Sequence, residues 1–405
     1  MTRAQQMSYN KRTIILLVIL ISLFSILSPL STFCTDNKIY SLMNDLDNTV
    51  VEELSEIDFS GLEQVVIDFN SKNTNIFSIK NIKDKVYSII SGKSAVEYDS
   101  VIGCLVSSLV ELVLKYMPML SIIIAIGVLS NLLNGIKSKF SEKSVGDLIH
   151  LVCFLAVVVL MIGIINNLSK TTGQSITSMV SQMNALFPIL LTLMIGLGAH
   201  ASAGVFQPIV AIISTYVADF FHYLIIPLFL FSFVFSIISN ISSSIKLDKF
   251  SDFISSVFKW AVGLTFTIFF AIFTIQGISA GSFDSISIRT AKYSIKSYVP
   301  IMGGYLSDGM DLILSSTLLI KNSVGLVGLL IIITTILSPV LEIVVCSLLL
   351  KLTSAVLQPL GDSKISNFLS STSKSIIMLS TCVIAIGFMY LISIGLVMIT
   401  SNVVI

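Results

Sequence analysis

Long apolar runs recur along the chain from residue 117 to the C-terminus, separated by short polar stretches. Most are close to the roughly 20 residues that cross a bilayer as a helix. Lipid cannot hydrogen-bond a peptide backbone, so such runs should be helical. The pattern predicts an all-α, polytopic transmembrane helical bundle. Seven runs are candidate spans, namely residues 117–133, 148–168, 185–199, 220–239, 260–280, 323–350 and 376–400, and an eighth, 299–320, contains Asp308 and Asp311.

The N-terminus has the charge, apolar core and break of a secretory signal peptide. Lys11 and Arg12 precede a 14-residue run of apolar residues and serine, which ends at Ser28 and Pro29. That run is short for a membrane span. We predict a signal peptide at residues 1–34, with an uncleaved membrane anchor as the alternative. Either one delivers the following segment to the far side of the membrane.

An acidic segment follows at residues 35–100. It holds 12 of the chain's 23 acidic residues and only six lysines. Between residues 52 and 69 the acids are interleaved with apolar residues at a rough helical spacing. We expect a small, helical, extracytoplasmic segment. Its acidic face is either solvated or a docking surface for a basic patch on a partner.

The composition agrees with a membrane protein. Of 405 residues, 54% are apolar and 12% are charged, about half the charged fraction of a soluble domain. A large soluble enzyme is excluded, and apolar runs this long exclude a transmembrane β-barrel, whose strands alternate. The net charge of +1 leaves no basic surface for nucleic acid. The five cysteines are isolated in sequence, so we predict neither a disulfide framework nor a metal site.

We predict that the membrane domain comprises residues 101–405. Lysine positions orient only its first part. Lys137, Lys139 and Lys143 should be cytoplasmic if residues 117–133 enter from outside. Beyond them, two topologies distribute the loop charges equally. One places the lysines at 246–259 inside and the basic residues at 289–296 outside, and the other reverses them. The amphipathic stretch 246–260 predicts a helix lying flat at the membrane surface.

An internal repeat is indicated at about 185–239 and 336–400. A shift of 151 residues aligns LFPIL at 186–190 with LSPVL at 337–341, and VFQPI at 205–209 with VLQPL at 356–360. Seven of 25 aligned positions are identical, which coincidence between two Pro-containing membrane hairpins also explains. Matching helix breaks in two halves indicate a binding site or pore. Parallel copies would favour eight spans with Arg289 inside.

No motif for catalysis or for cofactor binding occurs. Zinc, nucleophile-elbow and phosphate-loop patterns are all missing from the sequence, and the three histidines are far apart. We therefore predict no enzyme activity, no cofactor and no metal.

Ionisable residues inside apolar runs are more informative, because charges are costly in lipid. They mark either a polar lining or structural pairs at helix ends. With the repeat, they give nine candidate pore or interface residues: Gln207, Pro208, Asp219, His222, Asp308, Asp311, Glu342, Gln358 and Pro359.

An ordered set of short motifs resembles one known family. The set comprises LFPILLTLM at 186–194, VFQPIV at 205–210, RTAK at 289–292, KNSVGLVG at 321–328 and LQPLGDS at 357–363. Together with the leader and the acidic segment, they resemble stage III sporulation protein AE of endospore-forming Firmicutes. The resemblance is most specific between residues 186 and 375.

This resemblance implies a multi-pass protein of the mother-cell membrane around the engulfed forespore. Members of the family belong to a secretion-like channel that joins the two cells and supports forespore development. The implied partners are the other stage III A proteins and, indirectly, stage II sporulation protein Q, and a homo-oligomer is a further expectation. The alternatives are a self-contained permease for a small solute and a non-conducting assembly scaffold.

Overall fold

Helices make up the described part of the chain. The computed structural model describes residues 49–72, 81–91, 98–137, 143–241, 248–298, 303–360 and 363–400, all within one compact unit, Thr49–Ile405. The predicted signal peptide at 1–34 lies outside these residues. The helices are 49–56 (α1), Ser60–Lys72 (α2), Ile82–Ile90 (α3), Tyr98–Lys137 (α4), Lys143–Gly196 (α5), His200–Phe220 (α6), Ile226–Ile241 (α7), Asp248–Tyr298 (α8), Gly303–Leu357 (α9) and Ser363–Thr400 (α10).

Six stretches of these helices are long and apolar enough to cross a membrane. The predicted count of seven or eight spans is not confirmed, because α5 contains most of two predicted runs and α9 contains most of two others. The polar residues between the runs do not break the helices, since they are either exposed, as Lys170 is, or hydrogen-bonded in the interior, as Gln182 and Lys321 are. The six stretches are Gly103–Leu133, Leu148–Gly196, His200–Ile241, Lys249–Ile272, Gly309–Leu357 and Ser363–Thr400.

The predicted surface helix at 246–260 is also corrected. From Asp248 this stretch begins α8, which continues without interruption to Tyr298. Its aromatic residues therefore lie on a candidate span, Lys249–Ile272, and not on a separate helix along the membrane surface.

Helices α9 and α10 form the centre of the bundle as an antiparallel pair. The hydroxyls of Ser354 and Ser366 each donate to the other's backbone carbonyl, at 2.8 and 2.9 Å. Ser347 donates to the carbonyl of Ser373 at 2.9 Å. Hydroxyls that bond across helices satisfy polar groups where no water is present. Helices α4 and α5 pack against α9, while α5, α7 and α8 pack against α10.

Two backbone features shape the connection from α5 to α7. Gly198, in the tight turn between α5 and α6, has φ 79°, a left-handed conformation that favours glycine. Between α6 and α7, the residues Phe221–Ile225 form a wider π-helical turn. In this turn the N–H of Ile226 bonds to the carbonyl of Phe221, which is five residues earlier and not four as in an α-helix. The next residue, Pro227, has no N–H to donate.

The N-terminal helices α1–α3 are short and amphipathic, as the sequence predicts. They bury Val50, Leu54, Leu62, Ile82 and Val86, and Phe59 is buried in the turn between α1 and α2. Helix α2 packs against α5 and α3 packs against α9. Asp58 precedes α2 and accepts the backbone N–H of Ser60 at 2.9 Å. Hydrogen bonds from the side chain and backbone of Ser60 hold the pKa of Asp58 below its ordinary value.

Candidate functional site

A polar cluster around Glu342 joins three helices inside the membrane domain. Oε1 of Glu342 accepts hydrogen bonds from Lys115 Nζ at 2.6 Å, Tyr116 OH at 2.7 Å and Asn167 Nδ2 at 3.3 Å. Glu342 is only 7% exposed, and Tyr116 is also buried. A buried carboxylate is stabilised only when it is paired and hydrogen-bonded. The cluster therefore fixes α4 and α5 against α9.

Local sequence explains part of this geometry. Lys115 and Tyr116 are adjacent on α4 and reach the same oxygen of Glu342, and the Lys115 ammonium lies 5.5 Å from the centre of the Tyr116 ring. Helical spacing alone suggests that Lys115 pairs with Glu111, four residues earlier. The structure pairs it with Glu342, 227 residues away in sequence. This contact depends on the packing of α4 on α9, which spacing does not reveal.

A second buried carboxylate, Asp284, caps a helix from a distance. Its Oδ1 accepts the N–H of Ala201 and its Oδ2 accepts the N–H of Ser202, both at 2.9 Å. These N–H groups begin α6 and have no partner within that helix. Asp284 is 3% exposed and was missed by the sequence analysis, because it lies in a polar stretch beyond the predicted span 260–280.

A buried lysine binds the C-terminal end of α10. Lys321 on α9 is fully buried, and its Nζ donates to the carbonyl of Met398 at 2.8 Å. Met398 lies in the last turn of α10, where carbonyls have no partner within the helix and the helix dipole favours a cation. Lys321 thus holds the end of α10 against α9.

A fourth polar contact, between Gln182 and Thr335, joins α5 to α9. The Gln182 amide nitrogen donates to the Thr335 hydroxyl at 2.8 Å, and that hydroxyl lies 3.0 Å from the Gln182 amide oxygen. Both residues are almost completely buried. A glutamine inside an apolar bundle holds two helices in one register, since a shift would leave its amide unsatisfied.

The structure places the nine predicted residues in different surroundings. Glu342 alone lies in the cluster described above. Gln207 and Pro208 are exposed on α6, whereas Gln358 and Pro359 are exposed in the turn after α9. The two aligned copies therefore differ locally at this break, and the repeat itself stays a prediction.

The other ionisable candidates also lie apart from the Glu342 cluster. Asp219 and His222 are exposed together near the end of α6, and the His222 ring lies over Gly173 of α5. Asp311 is half-buried on α9, about 46 Å along the helix from Glu342 at the α-helical rise. Asp308 lies on the same helix, but its side chain is outside the described residues. Within the described ranges, no three His, Cys, Asp or Glu side chains are grouped to hold a metal ion.

Six apolar helical stretches, long enough to cross a bilayer and with hydrogen-bonded polar side chains packed between them, indicate the class of α-helical membrane proteins. The chain belongs to the stage III sporulation protein AE family, whose sequence model matches residues 80–401. It is 25% identical to stage III sporulation protein AE of Bacillus subtilis (strain 168) over 320 residues, which cover 79% of this chain and 80% of that protein. No solved structure matches the chain. A role in sporulation follows from this membership.

Proposed function

We propose that this protein is a non-enzymatic membrane component of the channel between mother cell and forespore, and that it is needed for forespore development. The observation that carries the proposal is the family match, which extends from α3 through α10 and so includes the whole membrane domain. The protein is multi-pass in the mother-cell membrane around the forespore. Its partners are the other stage III A proteins and, through them, stage II sporulation protein Q.

The N-terminal helices supply a surface for such partners. Glu53 on α1 accepts hydrogen bonds from the hydroxyls of Ser316 at 2.9 Å and Thr317 at 3.1 Å on α9. This contact ties the acidic segment to one end of the bundle. The acids on either side of it, Glu52 and Glu56, stay exposed. We place this acidic surface in the space between the two membranes, where a basic patch on a partner would bind it.

Co-purification from sporulating cells tests the proposal. An affinity-tagged chain in its own host, cross-linked during engulfment and solubilised in detergent, should bring down the other stage III A proteins. A strain without the gene should complete engulfment and then fail to form mature spores. A tagged unrelated polytopic membrane protein is the control. Recovery of this chain alone, with normal sporulation in the deletion strain, would contradict the proposal.

Reconstitution separates the two alternatives. The purified chain alone in liposomes should release no trapped small solute if it acts only within the channel complex. Solute release by the chain alone would favour a permease. A scaffold would be favoured if the partners co-purify and substitutions of the candidate pore residues, such as Asp308→Asn and Glu342→Gln, leave sporulation normal.

A further inference from the structure

The exposed face of α5 changes character partway along the helix. From residue 148 to 162 the exposed side chains are apolar, with Leu148, Val152, Leu155, Val159 and Ile162 each at least 44% exposed. From residue 166 onwards, nearly all the exposed side chains are polar. The polar ones are Asn166, Asn167, Lys170, Gln174, Thr177, Ser181, Asn184 and Thr192, and the apolar exceptions are Pro188 and Ile195.

The polar residues form one continuous stripe. Positions 170, 174, 177, 181 and 184 are separated alternately by four and three residues, which keeps them on one side of a helix. From 166 to 192 the stripe is about 39 Å long at the α-helical rise. It is therefore longer than one leaflet of a bilayer.

Helix α6 continues the polar surface. Gln207, Thr215, Asp219 and His222 are exposed, together with the amphipathic Tyr216 and Tyr223. The exposed side chains of the following turns are apolar: Leu224, Leu230, Phe231, Val234 and Ile238. The His222 ring lies over Gly173, so this change occurs at nearly the same level on α6 and on α5. Together, the polar side chains of α5 and α6 named here form one surface, which we call the hydrophilic face.

Exposed apolar side chains lie at the same level on both neighbouring helices, with Glu111 of α4 also exposed there. The Glu342 cluster sets Tyr116 level with Asn167, so the antiparallel α4 has Leu109 level with Gln174. On the other side, Ser232 pairs with Ser251 and Asp284 with Ala201, which sets Leu264 of α8 level with the end of α6. Leu109 is 38% exposed and Leu264 is 42% exposed.

Lipid cannot cover the hydrophilic face at this level. Asn, Gln and Lys side chains carry more hydrogen-bond donors than their own helix can satisfy, and each unsatisfied group costs several kcal/mol in hydrocarbon. Threonine hydroxyls do not add to this requirement, because Thr177 and Thr192 in the face donate to the carbonyls of Gly173 and Pro188, as the exposed Thr267 of α8 does to the carbonyl of Gly263. The face needs water, while the surfaces beside it suit lipid or another apolar surface.

We propose that the hydrophilic face lines a water-filled passage enclosed by several copies of this chain. The proposal rests on the channel function proposed above. One copy supplies a wall on one side only, and a ring of identical copies closes the passage, with the apolar surfaces of α4 and α8 in contact between neighbours. Apart from the ionisable side chains of Lys170, Asp219 and His222, the lining consists of uncharged amides and hydroxyls. Such a lining suits hydrophilic solutes without strong selection for charge.

Thiol labelling at matched levels tests the passage. Full-length chains with Gln174→Cys, Thr177→Cys or Gln207→Cys, in membrane vesicles, should react with a charged, membrane-impermeant maleimide. Leu109→Cys and Leu264→Cys lie at the same level and are the matched controls. They should react about tenfold more slowly, because a thiol in an apolar environment resists forming the reactive thiolate. The unsubstituted chain gives the background from the native cysteines.

Two results would overturn the proposal. Equal reaction of Leu109→Cys and Gln174→Cys would place this level outside the membrane, and no reaction of Gln174→Cys would mean that lipid or protein covers the face. Chemical cross-linking in the same vesicles should give oligomers of this chain, and a single copy throughout would also contradict a ring. Co-purification with the other stage III A proteins does not depend on these results, so the channel function can survive failure of the passage.

Discussion

At the scale of single residues, two of the three buried charged side chains in the described part of the chain bind backbone groups at the end of another helix. Asp284 accepts the free N–H groups at the start of α6, and Lys321 donates to a free carbonyl at the end of α10. Glu342 is different, because it accepts three donors from side chains on two other helices. Its loss should therefore affect helix packing more than helix ends.

We expect Glu342→Gln to destabilise the purified protein. The substitution removes the charge that pairs with Lys115 and weakens the bonds from Tyr116 and Asn167. The expected cost is about 1–3 kcal/mol, reduced because the Lys115 side chain is 51% exposed and can turn towards water. Thermal unfolding in detergent measures it. Glu111→Gln, an exposed acid one turn before Lys115, is the matched control and should leave the melting temperature nearly unchanged.

Asp284→Ala should loosen the start of α6. Two N–H groups lose a charged acceptor, at a cost of about 1–3 kcal/mol. Hydrogen exchange followed by mass spectrometry should show faster exchange at Ala201 and Ser202, with Asp284→Asn intermediate because it keeps one carbonyl acceptor. Asp252→Asn, an exposed acid on the same helix, is the control. Unchanged exchange in Asp284→Ala would show that the cap contributes nothing.

At the scale of elements, close packing of α5, α9 and α10 depends on glycine. A Cβ on Gly387 of α10 would overlap Ile336 of α9, and one on Gly328 of α9 would overlap Leu186 of α5. A Cβ on Gly395, two turns beyond Gly387, would meet nothing within 4 Å. Small residues at such contacts let membrane helices approach each other closely.

This difference makes two glycines of one helix a matched pair. Gly387→Ala should destabilise the protein by about 1–3 kcal/mol, because Ile336 must move to admit the methyl group. Gly395→Ala should be neutral or stabilising by up to about 1 kcal/mol, since alanine favours helix. Melting temperatures in detergent compare the two. Equal effects would mean that α9 and α10 are less closely packed than described.

At the scale of the whole molecule, six alternating helices give the bundle two distinct ends. One end has the connections α4–α5, α7–α8 and α9–α10, and the lysines near it are Lys137, Lys143, Lys249 and Lys364. The other end has the turn at Gly198 and the contact of Glu53 with Ser316 and Thr317. From the positive-inside rule we predict that the first end is cytoplasmic and that the acidic segment is extracytoplasmic.

Cysteine labelling from each side of the membrane checks this orientation. Lys249→Cys should react from the cytoplasmic side and Arg289→Cys from the outside, because both lie on α8 and its candidate span begins at Lys249 and ends before Arg289. This outcome selects one of the two topologies that loop charges alone leave equal. The reverse labelling would restore the eight-span arrangement with parallel repeats.

The sequence by itself determined the class of protein and the family. Apolar runs near bilayer length define membrane helices, since no other backbone arrangement satisfies these runs in lipid. The ordered motifs from 186 to 363 identified the family that the match over 80–401 confirms. Both properties are local, because each depends on residues that are neighbours along the chain.

Only the tertiary structure decided which of these helices are continuous and which polar groups meet. A polar stretch such as 169–184 suggests a loop, but it remains helical where its polar side is exposed and its apolar side is buried. The spacing of Glu111 and Lys115 cannot show that Lys115 binds Glu342, nor that Asp284 binds the start of α6. Such contacts join residues far apart in sequence, and the packing of whole helices brings them together.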